Sequence, residues 1–349
     1  MSDINVYGFL NSEFVLPNEP ILTLEGSLAK VQIVESTLLN LTNYPTLLSS
    51  LALRLRMIKG LENKIFIEDG CKHAQTANGA LIGVKYSSIG GVDYSTFLLS
   101  SKIFHLNLFH KTAKIEEEID IKKLGISEED FIIKGQNLLE NIISNLSEDI
   151  YSSIRDKLWK RLYPLLLSIK QKQFSYEITD ENNLDEEILL FILCCLAVIN
   201  LDVIQEYFIL ANYLNSMTQI KEIKSKLTEK LNLYNLSQIQ IGKNLLIFIR
   251  YDSSILANSS SLDFDHFDGL LLGTEFTVSH THPALGMVYK INEINNKPCL
   301  KFSEEKEKQT IPGNKKVLRL FDENLKFLSD VLCLKEEATN IMESKEIEV

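Results

Sequence analysis

Gly273 and Thr274 follow an apolar, strand-like run. A glycine at that point lets backbone N–H groups approach a phosphate closely, and the threonine hydroxyl adds a donor. Some two hundred positions earlier, Lys72 and His73 set a point charge beside a titratable imidazole. Gly90 and Gly91 precede Asp93, Ser95 and Thr96, a set that reads equally as a tight turn or as part of a polar site. Lys72 and His73 belong to a local cationic stretch. Residues 54 to 114 hold nine cations (Arg54, Arg56, Lys59, Lys64, Lys72, Lys85, Lys102, Lys111, Lys114) against four anions (Glu62, Glu68, Asp69, Asp93). On an acidic chain such a stretch is where an anionic small molecule would be sought, the alternative being solvated lysines that face different ways.

The chain as a whole carries a formal charge of -11, which argues against nucleic acid, since phosphate backbones are bound through lysines and arginines in quantity. Its five cysteines (Cys71, Cys194, Cys195, Cys299, Cys333) form no CxxC pair and have no histidine at zinc-ligand spacing, so they read as reduced, mostly buried thiols. The first residues, MSDINVYGFL, lack a basic flank before an apolar core. The longest apolar run, Ile188 to Ile199, has 12 residues where a membrane span needs about 20, and reads as a buried core helix. A cytoplasmic location is the expectation. At 349 residues with 45% hydrophobic content, the chain suits one large α/β domain, alone or with a smaller companion.

The elements that would position these residues follow from periodicity. Val6 to Leu10, Glu13 to Leu16 and Ile21 to Leu24 are short strands broken by Pro, Asn and Gly. From Leu28 to Met57 apolar residues recur every three to four positions, which is helical. Residues 63 to 105 mix strands, short helices and glycine turns. Ser127-Glu128-Glu129-Asp130 opens a long tract in the manner of a capping box, and helix dominates from there to about Leu233. Leu245 to Tyr251 and Val288 to Ile294 read as strands, Asn295-Asn296 as a hairpin turn, and the charged, aperiodic sequence after Lys335 as a frayed tail.

Three stretches, in order, are similar to nicotinate phosphoribosyltransferases, which join nicotinate to phosphoribosyl pyrophosphate in NAD salvage. They are VLPNEPILTLEGSLAKVQIVESTLLNLTNYPTLLSS (15–50), DGCKHAQTANGALIGVKYSSIGGVDYSTFLLSSKIF (69–104), and FDGLLLGTEFTVSHTHPALGMVYKINEI with KPCLKFSEEKEKQTIPGNKKVLRLF (267–321). The resemblance implies an α/β fold: an irregular type II phosphoribosyltransferase-like barrel, partly eroded and helix-rich, with a small β-rich domain built from both chain ends. The expected division is 1–45 plus 286–335 for the small domain, 46–285 for the barrel with a helical middle at 116–240, and 336–349 as a flexible tail. It also implies that Lys72, His73, Asp93, Ser95, Gly273 and Thr274 bind substrate phosphate. Gly273-Thr274 is similar to the site that holds the ribose 5-phosphate, as phosphate loops of barrels often do.

The same resemblance marks departures. Lys72 and His73 stand where the family usually shows two arginines, so forked contacts give way to a point charge and an imidazole. An ungapped register puts Thr112 and Lys114 at the family motif's two histidine positions, one of which ATP phosphorylates, with His105 and His110 as neighbours. Phe97 replaces the asparagine after Thr96. Ile249, Arg250 and Tyr251 fall at a Ser-Asn-Asp motif, with Asp252 one residue later, and a second paired-aspartate motif has no counterpart. Carboxylates are the usual partners of ribose hydroxyls and Mg²⁺. A tyrosine-bearing segment that completes the partner's site in the family dimer would precede Val6, which leaves a homodimer, or a heteromer with a chain supplying it, as expected assemblies. What the resemblance implies is therefore a nicotinate phosphoribosyltransferase-family protein, with ATP and Mg²⁺ as its cofactors and impaired or lost turnover. A non-catalytic binding or regulatory subunit and a helix-based interaction protein are the alternatives.

Overall fold

The computed structural model describes residues 4–10, 12–109, 157–158, 173–178, 183–199, 206–211, 217–250, 264–280, 282–304, 309 and 311–343. The capping pattern at Ser127, and Thr112, Lys114, His110, Tyr251 and Asp252, lie outside these residues. The chain forms two compact units, one of Met1–Leu47 with Ala284–Val349 and one of Leu48–Pro283.

In chain order, β1 (Asn5–Gly8) and β2 (Leu22–Glu25) pair antiparallel and lead into α1 (Leu28–Ile33) and α2 (Glu35–Arg56). The helical run expected from Leu28 is thus two helices, and residues 13–16, expected as a strand, have no regular structure. Next come β3 (Ile65–Glu68), α3 (Ala77–Ile89), β4 (Tyr94–Ser95) and α4 (Leu98–Phe104). They are followed by β5 (Gln173–Glu177), α5 (Leu184–Ile199), β6 (Glu206–Ala211), α6 (Met217–Leu233), β7 (Leu245–Arg250), β8 (Gly269–Leu272) and α7 (Thr274–Val278). Among the described residues the sheet of this unit has six strands in the order β4-β3-β8-β7-β6-β5, every pair parallel. Strands alternating with helices around a parallel sheet make the class α/β.

The expected helical middle holds α5 and α6, and two strands, β5 and β6, lie inside it as well. A short apolar run such as EYFILA has no alternation when both its faces are covered, and periodicity then cannot separate it from a helix. The run at Ile188 is a core helix as expected: in α5, Leu190 to Cys195 are all buried, and the Tyr176 hydroxyl of β5 donates to the buried Glu187 carboxylate at 2.8 Å. No described helix is long and apolar enough to cross a membrane.

Side chains alternate across a strand, so the pairing register fixes which residues share a face. Ile67, Leu271, Phe248, Phe208 and Leu210, from β3, β8, β7 and β6, form one buried cluster with Phe109. Phe109 meets Phe208 edge-on, with ring centroids 5.0 Å apart. Gly269 makes room on this face, since a Cβ there would stand 2.3 Å from Phe248 Cε1.

The other unit continues with β9 (Glu293–Ile294), β10 (Lys297–Pro298), β11 (Lys315–Phe321), β12 (Phe327–Leu334) and α8 (Lys335–Glu343). Asn295 and Asn296 both take positive φ, 50° and 57°, and close the β9-β10 hairpin as a primed turn. The strand expected at 288–294 shrinks to two residues, because only Glu293 and Ile294 find ladder partners. Around them single bonds serve instead: Cys299 N–H and Gly313 N–H both donate to the Asn292 carbonyl at 2.9 Å. The tail expected after Lys335 is helical to Glu343, since Ala338 is buried with Leu318 and Cys333, and Ile341 packs beside them. Across β11 and β12, Arg319 grips Asp330 with two hydrogen bonds of 3.0 and 2.9 Å. Near the chain ends, the Glu25 carboxylate accepts from Asn314 Nδ2 at 2.8 Å and pairs with Lys335 at 3.2 Å.

Candidate functional site

The face that carries the aromatic cluster ends, at the carboxyl ends of its strands, in a polar layer. Two positions beyond Ile67, Leu271 and Phe248 stand Asp69, Gly273 and Arg250, and Glu177 closes β5 opposite Leu210. Alternation turns all four the same way. With Lys72, His73 and Leu271 they line a cleft of about 210 Å³. Ligands of parallel α/β sheets bind at this end of the strands, where loops supply the variable chemistry.

The turn after β3 is built around Glu68. Its side chain is 2% exposed, with Oε1 accepting from Gly70 N–H at 2.8 Å and Oε2 from Ser95 Oγ at 3.0 Å. Thr277 Oγ1 of α7 lies 3.5 Å from Oε1. Burial is the main cause that pushes this carboxyl up to about 7, against the hydrogen bonds that favour its charged form. Gly70 is required by close approach, because a Cβ there would fall 1.7 Å from Thr277 Oγ1. After it, Cys71–His73 makes one 3-10 turn, with His73 N–H donating to Gly70 O at 2.8 Å, and Lys72 and His73 are exposed to the cleft side. Burial first, then the carboxylates of Glu68 and Asp69, push the Cys71 thiol up.

Lys72, His73 and Gly273 thus come together, although they are far apart in sequence. Thr274 stands next to the cleft with its Oγ1 accepting from Arg250 Nη2 at 3.2 Å, its own hydroxyl hydrogen still available to donate. Asp93 and Ser95 are not in the lining. Asp93 Oδ2 accepts from Arg56 Nη2 at 2.5 Å and from Phe66 N–H at 2.8 Å. Arg56 in turn lies over the Phe66 ring, 3.8 Å from its centroid, and donates to the Gly91 carbonyl. Asp93 therefore fastens the end of α2 to β3. Ser95 serves Glu68.

No protein-family model matches the chain. It is 27% identical over 350 residues to nicotinate phosphoribosyltransferase 1 of Arabidopsis thaliana, covering 95% of this chain and 61% of the relative. To the nicotinate phosphoribosyltransferase of Caenorhabditis elegans it is 26% identical over 372 residues, with 96% and 61% covered. Its fold matches the crystal structure of human nicotinic acid phosphoribosyltransferase with a TM-score of 0.68 and 20% sequence identity, over 96% of this chain and 65% of that one.

The chain is thus similar to nicotinate phosphoribosyltransferases along almost its whole length.

It spans about 61% of the length of the curated family members named here. Within the family frame, Ile249 and Arg250 occupy the end of β7, and Ile249 is buried while Arg250 reaches the cleft. A family-motif reading misses Asp69, Glu177 and Arg250, the last because it stands at the Ser-Asn-Asp motif as a mismatch. A physical signal was present in the sequence: each is a charged residue at the carboxyl end of a short strand-like segment, IFIED, QFSYE or LLIFIR. Charge at that point of a buried parallel strand is tolerated where the strand opens on a site.

Proposed function

We propose that the chain acts in NAD salvage as a nicotinate phosphoribosyltransferase-family protein that takes phosphoribosyl pyrophosphate into this cleft, with nicotinate as co-substrate and with impaired turnover. We read the parallel sheet as the described part of an irregular type II phosphoribosyltransferase-like barrel. The observation that supports the function is the convergence of Lys72 and His73 with Gly273 at one mouth of the sheet. Cations and a side-chain-free backbone suit a phosphate, and two carboxylates, Asp69 and Glu177, suit ribose hydroxyls. The same two are hard oxygen donors and fit Mg²⁺, which is held by one or two carboxylates together with substrate phosphates. Asp69 or Glu177 would hold the ion together with substrate phosphates, and it would supply charge neutralisation there. ATP belongs to the proposal as the family's coupling nucleotide, and no described residue is assigned to it. Reduced turnover is expected because a lysine and a histidine replace two forked guanidiniums at 72 and 73.

The test is an assay of purified protein with nicotinate, phosphoribosyl pyrophosphate, ATP and saturating Mg²⁺, read as nicotinate mononucleotide by chromatography, beside thermal unfolding with each ligand alone. Phosphoribosyl pyrophosphate is expected to raise the unfolding midpoint, since a ligand of the folded state must do so. Slow formation of nicotinate mononucleotide, lost in a Lys72→Ala, Gly273→Val pair, is the expected kinetic result. A midpoint that no ligand moves sinks the proposal. A non-catalytic binding role is supported by one observation, the commitment of Asp93 to Arg56 and Phe66, which leaves the cleft with fewer polar contacts. Binding without any product decides for that role.

A further inference from the structure

Arg250 is the last residue of β7, where the strand opens on the cleft. Its side chain is half-buried. Nη2 donates to Thr274 Oγ1 at 3.2 Å, and among the described residues this is its one hydrogen bond; no described carboxylate lies within ion-pairing distance. A guanidinium has five N–H donors in a rigid fork, so most of them are left for something else. A half-buried cation is normally paired, because taking it partly out of water costs free energy that a partner must return.

The orientation of that fork is held from behind. A methyl group on Gly273 would stand 3.2 Å from Nε and 3.3 Å from Nη2, closer than such contacts usually come, so the absence of a side chain at 273 is what lets the guanidinium lie along this backbone. Thr274 fixes one corner. Lys72 lines the same cleft, so two basic side chains face one small space from β7 and from the turn after β3. Asp69 and Glu177 enter from β3 and β5, on either side of β7 in the strand order. The layout is cationic beside Gly273 and acidic at the flanks, which suits a sugar phosphate better than a simple anion.

We infer that Arg250 is the phosphate anchor of this cleft, its fork taking two oxygens of the phosphate on a phosphorylated ribose, with Thr274 holding the fork in place. The inference rests on the cleft being a phosphoribosyl site, and adds the residue that recognises the phosphate. It makes the site selective for a phosphate ester of ribose over ribose itself, since a neutral sugar leaves the fork unpaired. It supplies, from a different strand, a forked contact of a kind that Lys72 and His73 cannot make.

Isothermal titration of the full chain with ribose 5-phosphate, inorganic pyrophosphate and ribose tests this, using the wild type, Arg250→Gln and Arg250→Lys. The wild type is expected to bind ribose 5-phosphate and not ribose. Arg250→Gln should weaken ribose 5-phosphate by about tenfold or more, the scale of a lost charge-assisted pair, with the ligand-free unfolding midpoint little changed. Arg250→Lys keeps the charge without the fork and should lose affinity by several-fold, which serves as the deciding variant if the glutamine form does not fold. Affinity within twofold of wild type in either variant overturns the role of Arg250 and leaves the cleft assignment standing. A wild type that binds neither phosphate compound overturns the cleft assignment itself, and the anchor with it. Preference for pyrophosphate over ribose 5-phosphate overturns recognition through the sugar phosphate.

Discussion

Glu68 is the residue on which most of the site's frame converges. It is a buried carboxyl, reached by donors from its own turn, from Ser95 of β4, and more distantly from Thr277 of α7. Because its folded value is raised to about 7 from an ordinary 4.5, the folded chain holds this proton more tightly than the unfolded chain. Its contribution to stability is therefore complete below about 4.5, falls as pH rises, and is gone above about 7. A shift of that size corresponds to roughly 3 kcal/mol. Glu68→Gln, which keeps the shape without the titration, should gain on the wild type by about that amount between pH 4.5 and pH 8, measured by urea unfolding. Parallel curves for the two proteins would show that Glu68 does not titrate in this window. Cys71, pushed up by the same surroundings, should react slowly with thiol reagents near neutral pH.

At the scale of elements, the turn between β3 and α3 is the tightest piece of the site. Gly70→Ala places a Cβ 1.7 Å from Thr277 Oγ1 and 2.8 Å from the Gly273 carbonyl, and the second of these is backbone and cannot rotate away. Loss of at least about 2 kcal/mol is expected on urea unfolding, together with weaker ribose 5-phosphate binding, because the 70–73 turn and the 273–277 segment would be pried apart. An unchanged midpoint would mean that the two segments are not packed as described. These elements were unequally legible in the sequence. The hairpin at Asn295-Asn296 was plain, because two adjacent asparagines at positive φ are a local necessity of a two-residue turn. So was α5, whose apolar run is too long for a typical strand. The strands β5 and β6 were hidden, since QFSYE and EYFILA say nothing by themselves about what covers them. Arg250 was legible only once β7 was known to end in a cleft: Leu246, Phe248 and Arg250 alternate onto one face, but a motif comparison marks the arginine merely as a mismatch. Asp93 shows the reverse case. Its sequence neighbourhood suggests a ligand, and its partners, Arg56 and the Phe66 backbone, make it a fastening.

Over the whole molecule, the site belongs to no single stretch of chain. Its cations come from the turn after β3 and the end of β7, its glycine from the end of β8, and one carboxylate from β5, so each strand must take its place before the cleft exists. Ile65 pairs with Gly269 across roughly 200 intervening positions, and parallel pairings of such reach are slow to form because the loop must close before any contact rewards it. On refolding from urea, helix recovered by circular dichroism should precede the return of ribose 5-phosphate binding, and simultaneous recovery would contradict this order. A ribosome adding about 5–20 residues per second needs roughly 10–40 s to pass from β3 to β8. During that interval the edge of β3 that β8 will cover is bare on the nascent chain, with the apolar Phe66 and Ile67 beside it. That bare edge is something a chaperone can hold until β8 arrives.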